Sequence, residues 1–439
     1  MTRPFKRRLL LLIVPISVPA VVNAQTFTGF MKRTTISGAI RAYDFNKFFG
    51  APTIPNARAF ALGALVNLKT APFLTGFQVG ASFYSANSLG LNSLSHPAIT
   101  DPTLMGYNSS LNAFGQAYIQ YSKTHIGEVR VGDQSINTPW MNSSDSRMIP
   151  ATYQAVQVAI TALPAVTLYF LREFRWKSKT SSAFYRDNLY YQPASAGTSW
   201  GGVGGLPPNA PTTSGTLAAG ATWHLQNTLS ATSWYYDFYG FTHLYYASAA
   251  YTVPGHSLIT PLLGVQYARE TEASGLLNNV RINTKAGRGV DATAYGAIAG
   301  LNIPDGQITM SYNSLAQHQG SIGGGALISP YTAGYTSDPL YTTSMLRGLV
   351  ELGPGHAWKI RYTVPVVRRK WYVTTAYARY YTYYYGTAED TYLDVSYAPG
   401  RRWRGLSIRD RVEMARGGHG LTPGNRYFVY NRIMLQYTF

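Results

Sequence analysis

Basic side chains recur at alternate positions in this chain of 439 residues. Arg409 and Arg411 are two apart, Lys359 and Arg361 repeat that spacing, and Arg41, Arg130 and Arg432 each stand beside an aliphatic residue. In an extended backbone, residues two apart share a face and their neighbours point the other way. These seven cations therefore belong to polar faces whose reverse sides carry Ile40, Val129, Ile360, Ile408 and Ile433. A guanidinium stays charged and offers paired donors to a carboxylate. A row of them along a narrow passage would replace part of an anion's hydration and still release it. Two acids, Asp394 and Glu413, are expected to face the same lumen and could instead pair with the arginines and hold the wall. Covalent chemistry has no comparable signal. There is no cysteine and there are eight histidines; none shows metal-site spacing, and no G-x-S-x-G elbow occurs. No metal or other cofactor is expected.

The elements that must position these residues are strands. Segments of about ten residues alternate with period two and are separated by Gly, Asn, Pro and Ser clusters. From Phe73 to Ser85 one face carries Phe73, Thr75, Phe77, Val79, Ala81 and Phe83, and the other Gly76, Gln78, Gly80 and Ser82. Leu406, Ile408, Val412 and Met414 alternate with Ser407, Arg409, Arg411 and Glu413, leaving Asp410 as the one charge on the apolar side. The pattern predicts strands at 34–48, 57–69, 73–86, 111–123, 125–134, 153–162, 164–177, 215–225, 227–239, 241–252, 258–270, 292–303, 306–315, 356–366, 370–385, 389–398, 404–416 and 426–438. That is an even number, as closure of a barrel requires. Tyr341 to Leu352 alternates poorly and is assigned to a loop. Connections are tight at 70–72 and Gly240 but long at 87–110, 135–152, 178–214, 271–291 and 316–355, as in a transmembrane barrel with short turns at one end and long loops at the other. If the last strand closes on the first, Arg432, Arg409, Arg411 and Arg41 fall on three neighbouring strands and form one basic stripe. Lys359 and Arg361 lie three strands before Arg409.

Composition agrees. Arg3, Lys6, Arg7 and Arg8 precede an apolar run from Leu9 to Val22, with Val22-Asn23-Ala24 as a cleavage site, so residues 1–24 are expected to be an export signal and 25–439 the barrel. The run is too short to span a bilayer as a helix, which takes ~20 residues, and it is broken by Pro15 and Pro19. Without residues 1–24 the chain keeps 33 Lys and Arg against 19 Asp and Glu. Its anionic partners are expected to be outer-membrane lipid, lipopolysaccharide or anionic solutes; no nucleic-acid module is present. Only 13% of residues are charged while 14% are aromatic, with Tyr at 35 copies. A lipid-facing exterior with tyrosine girdles fits that balance, and Trp234, Tyr235, Tyr236, Tyr239 and Tyr380 to Tyr385 are read as girdle. The last strand, Tyr427 to Phe439, ends on an aromatic, like the sorting signal of bacterial outer-membrane barrels.

Several segments in order carry a family likeness. Gly132-Asp133-Gln134, Asn137-Thr138-Pro139-Trp140, Asp145-Ser146-Arg147-Met148-Ile149-Pro150 and Ala151-Thr152-Tyr153 are followed by Ser337-Asp338-Pro339-Leu340-Tyr341-Thr342, Tyr392 to Tyr397 and Gly405 to Arg409; Gly76-Phe77 and Phe83 to Gly90 precede them. Together these resemble the OprD family of substrate-specific outer-membrane porins. The resemblance implies an all-β barrel of eighteen strands, monomeric or loosely trimeric, in the outer membrane of a Gram-negative bacterium. Inward-folded loops would narrow it, and small carboxylate-bearing solutes such as amino acids or aromatic acids would pass lumenal basic residues. It makes 135–152 the constriction loop, in which Asn137 and Thr138 would offer hydrogen bonds and Asp145 and Arg147 would set the field; turn chemistry is the plainer role for the first two. Gly323-Gly324-Gly325 and the tyrosines 380–385 map to no substrate preference. The competing readings are an outer-membrane barrel enzyme, which would need a catalytic cluster at a strand end, a hydrophobic-substrate transporter, which would need a plug before the first strand, and a purely structural or adhesive barrel.

Overall fold

A computed structural model describes residues 24–186, 214–225, 228–254, 258–273, 289–328, 330–332, 337–366, 370–418 and 426–439. After a short helix, α1 (Ala24–Arg33), come β1 (Thr35–Phe49), β2 (Ala57–Lys69), β3 (Phe77–Asn87), β4 (Ser110–Lys123), β5 (Gly127–Gln134), β6 (Thr152–Leu163), β7 (Val166–Lys177), β8 (Thr216–Leu225) and β9 (Leu229–Phe238). The chain continues through β10 (Thr242–Thr252), β11 (Thr260–Glu272), β12 (Asp291–Ile303), β13 (Gly306–Leu315), a one-turn helix α2 (Leu349–Leu352), β14 (Gly355–Val366), β15 (Trp371–Thr382), β16 (Gly386–Tyr397), β17 (Leu406–Gly417) and β18 (Tyr427–Thr438). Each strand pairs antiparallel with its neighbours in sequence, and β18 closes on β1 from Ala39↔Thr438 to Phe49↔Phe428. The export signal expected over residues 1–24 falls, but for Ala24, outside the described residues. None of the described helices is long and apolar enough to cross a membrane.

The eighteen expected strands are found, with two instructive shifts. The strand expected from residue 73 begins at Phe77, because Leu74 and Thr75 adopt positive φ of 43° and 61° in a turn closed by Gly76 N–H to the Phe73 carbonyl at 3.1 Å. Tyr383 to Tyr385 likewise leave the sheet to make the turn between β15 and β16. Long connections cluster at one end, which is the extracellular one by the usual asymmetry of such barrels.

Outward faces are apolar. Ile36, Ile40, Phe114, Ile119, Val265, Met310 and Ile433 all point to lipid. The inward faces, however, are not polar throughout. Two apolar clusters fill the upper lumen where loops fold in. One joins Trp140 and Met141 of the 135–151 loop and Leu327, Ile328 and Tyr331 of the 316–354 loop to Trp234, Tyr236 and Phe238 of β9. The other joins Met148 and Ile149 to Tyr43, Phe45, Tyr84 and Tyr430. Trp234 and Tyr236 were expected in the girdle; period two places them inside with Phe238, while Tyr235 between them faces lipid. Room for the Trp234 ring comes from Gly220, where a Cβ would approach it to 2.3 Å. Tyr380 is also fully buried inside, and its hydroxyl donates to the Thr342 carbonyl at 2.9 Å.

Candidate functional site

Between the wall and the two inward loops lies a polar cavity of about 310 Å³. The wall contributes Lys359 and Arg361 of β14, Asp394 of β16, Arg409 and Arg411 of β17 and Arg432 of β18. The 135–151 loop adds Ser144 and Ser146, and the 316–354 loop adds Thr343, Ser344 and Met345. Alternation alone puts the bases on the inner face; curvature of the closed sheet brings β14 to within one cavity of β17 and β18.

Their charges are compensated unequally. Arg409 donates to both carboxylate oxygens of Asp394, with Nε to Oδ1 at 2.7 Å, and Tyr392 Oη donates to the same carboxylate at 2.6 Å. Lys359 Nζ donates to the Thr343 carbonyl at 2.7 Å and so holds the loop. Arg411 and Arg432 stand directly across from each other in register. Among the described residues neither has a carboxylate partner, and the Nε of each is buried without a hydrogen bond. The Arg432 guanidinium lies over the rings of Phe45 and Tyr430, at 5.1 and 4.2 Å. The cavity thus holds five bases and one acid. Like charges so close are costly unless a counter-anion visits them.

A sequence model described as outer membrane porin, OprD family, matches residues 107–338. The chain belongs to that family. It is an outer-membrane porin of the Gram-negative type, a channel rather than an enzyme. No curated protein matches in sequence. Solved structures share the fold: Acinetobacter baumannii OccAB3, at 17% identity and a TM-score of 0.75, with 93% of this chain and 99% of that one covered; Pseudomonas aeruginosa OccK8 (OprE), at 16% and 0.73, with 93% and 99% covered; and Pseudomonas aeruginosa OpdK with vanillate, at 13% and 0.72, with 94% and 100% covered.

The remaining expected residues of the porin are placed elsewhere. Arg41, 5% exposed, clamps the constriction loop: its guanidinium takes Asp145 in a two-point ion pair, with Nη1 to Oδ1 at 2.6 Å, and also donates to the Arg147 carbonyl. Asp145 therefore pairs with the wall, and Arg147 is nearly buried. Arg130 is bonded to Gln120 and Glu128 and packed on the Tyr118 ring, away from the basic cavity. Glu413 is fully buried and, among the described residues, forms no ion pair with an arginine; it accepts the backbone N–H groups of Met345 and Leu346 at 2.8 and 3.2 Å. Asn137, Thr138 and Pro139 face a second cavity of about 380 Å³, whose other wall carries no carboxylate, Lys or Arg: Tyr169 and Trp234, stacked at 5.3 Å, with Thr222, His224, Ser230 and Thr232. Thr138 is mostly spent on structure, bonded to Met141 and to the Tyr236 hydroxyl.

Sequence reasoning missed the 316–354 loop as the second jaw. Arg347, 3% exposed along its side chain, is held by the buried Asp390 carboxylate through Nε at 2.9 Å and Nη2 at 2.8 Å. Asn142 Nδ2 donates to the Ser337 carbonyl at 2.8 Å and ties the two loops together. Beside that link, burial pushes the Asp338 carboxyl up to about 6; Oδ1 accepts from Leu340 N–H and the Thr343 hydroxyl, but Oδ2 has no partner. In the 88–109 loop the balance reverses. Burial pushes the Asp101 carboxyl up, yet Lys47, 2.7 Å away, more than offsets it and holds the group below its ordinary range. The available signal was the family-like run Ser337 to Thr342, which by itself does not say where the loop lies.

Proposed function

We propose that this porin selects small carboxylate-bearing solutes, amino acids or small organic and aromatic acids, at the cavity between β14–β18 and the two loops. The observation that carries this reading is the pair Arg411 and Arg432, two nearly buried guanidiniums side by side with no carboxylate bonded to them among the described residues. A visiting carboxylate can take their donors while the loop hydroxyls of Ser144, Ser146 and Ser344 solvate its far side. Weak multi-point binding of that kind favours entry and still permits release. Vanillate, the molecule named with OpdK, is such an acid. In this reading a single barrel is the conducting unit, whether barrels stand alone or associate as a loose trimer. Residues 1–24 would serve as the export signal. Liposome swelling tests the reading: carboxylates should enter faster than neutral sugars of equal size, and equal rates would sink it.

A further inference from the structure

Where the lipid-facing wall of a barrel meets headgroups, cations and aromatic rings replace aliphatic residues. On the outer face of β13 to β18 the register aligns Tyr312, Trp358, Arg379, Glu389, Arg416 and Tyr427 in one row. Each stands within three residues of the extracellular end of its strand. The next outward row toward the periplasm reads Met310, Ile360, Tyr377, Thr391, Met414 and Val429, so the charges stop where an uncharged, largely apolar band begins. The row holds two guanidiniums and one carboxylate. Glu389 takes Arg416 at 2.5 Å and the Tyr377 hydroxyl at 2.8 Å. Arg379 has no carboxylate bonded to it among the described residues, and its Nε is buried without a hydrogen bond. Each guanidinium also lies over a ring, Arg379 over Tyr381 and Arg416 over Tyr427, both at 5.3 Å.

Followed the other way, across β12, β11 and β10, the same row continues into Ala297, Val265 and Ala249. These lie six or seven residues from their extracellular strand ends, so the row runs down into the membrane as it leaves Trp358. There an apolar trough of about 590 Å³ opens, lined by Ala249, Val265, Ala297 and Ala299 together with the larger Met310 and Trp358. Trp358 borders both the trough and, across one strand pair, Arg379. We propose that this stretch of outer wall binds lipopolysaccharide, with a lipid A phosphate on Arg379 beside Arg416 and one acyl chain in the trough. A guanidinium offers paired donors to a phosphate, and alanines leave a chain the room that larger aliphatic residues would fill. The charge left over by Glu389 is thereby met, which hydrocarbon alone cannot do. A phospholipid has the same two parts, but these strand ends are extracellular, on the side of the leaflet that lipopolysaccharide forms.

The purified porin in detergent would be titrated with bis-phosphorylated lipid A and the bound lipid counted by native mass spectrometry, with heat-modifiable mobility showing that each variant is folded. Arg379→Gln is expected to weaken binding about tenfold through loss of a charge-assisted contact, and Ala297→Phe to weaken it by filling the trough. Glu389→Gln removes the acid and frees Arg416, and should tighten binding, a gain that a purely structural role would not produce. Arg172→Gln is the control: this outward arginine of β7 donates to the Ser214 carbonyl at 2.8 Å, far round the barrel, and its variant should bind as the parent does. The proposal is overturned if Arg379→Gln or Ala297→Phe leaves the affinity unchanged, if Glu389→Gln does not raise it, or if Arg172→Gln lowers it as much as Arg379→Gln. It is equally overturned if lipid A stripped of its phosphates binds as tightly, or if phosphatidylglycerol competes on equal terms. Solute flux plays no part in the readout, so the selectivity reading stands or fails separately.

Discussion

Arg409 and Arg411 share one face two residues apart, yet their surroundings give them different work. Asp394 neutralises the first, and among the described residues no carboxylate bonds to the second. Arg411→Gln should therefore lower the anion-over-cation permeability ratio, read as the reversal potential across a KCl gradient in planar bilayers. Arg409→Gln should lower it too, by leaving Asp394 bare, and Arg409→Gln with Asp394→Asn should return it toward the starting value; a ratio unmoved by Arg411→Gln would mean that the free guanidiniums do not face the permeant. The Arg347–Asp390 pair is a case of opposite kind, fully buried and spent on architecture. Arg347→Met leaves an unpaired buried carboxylate, a loss of about 3–5 kcal/mol. Lower thermal stability and rising open-channel noise are expected, with Arg347→Met combined with Asp390→Leu recovering much of the stability. Alternation made the facing of Arg409, Arg411 and Arg432 legible in the sequence. Their pairing was not, because Asp394 and Glu413 lie on the same faces, and only the position of the 316–354 loop gives Glu413 to backbone N–H groups instead of to an arginine.

At the scale of elements, two loops form the jaws, and each is held by charge set into the wall. Arg41 holds the 135–151 loop through Asp145, and Glu413 and Asp390 hold the 316–354 loop. Arg41→Met should loosen the first jaw and raise single-channel conductance with more frequent current fluctuations; a conductance equal to the parent's would show that the apolar packing of Trp140, Met148 and Ile149 suffices. The link between the jaws carries a pH dependence. Asp338 has an ordinary carboxyl value of 3.8 when unfolded and about 6 in place, so the folded state favours its neutral form. Its contribution is complete below about pH 3.8 and is lost as pH rises through about 6. Protease sensitivity of the loop should rise across that window and become flat in Asp338→Asn. The first jaw was legible as the run Asn137 to Pro150. The second was not, since loop residues lack the period that marks a face, and Tyr341 to Leu352 shows only that it is no strand.

Across the whole molecule, inside and outside are set by one rule, and substitutions should respond to it. Ala297 faces lipid on β12, and Thr374 lines the basic cavity on β15. Ala297→Arg should cost about 2–4 kcal/mol if it sits at mid-depth, and Thr374→Arg much less, as measured by denaturant unfolding in lipid vesicles. Similar losses at both sites would contradict the assigned facing. The eighteen strands and their faces were readable from alternation, because the two-residue period is a local property that each strand carries by itself; closure of Tyr427–Thr438 on β1 entered only as the condition that a barrel has to meet. Even the one charge on the apolar face of β17, Asp410, was visible in the sequence. What the chain alone left open is what fills the barrel. Tryptophan and tyrosine suit a lipid interface and a loop core equally, so Trp234 and Tyr236 took their role from the loops packed on them. Arg41 met Asp145, and Arg347 met Asp390, across stretches of 104 and 43 residues. Pairing over such separations depends on register, curvature and loop entry together, and those exist only once the sheet has closed.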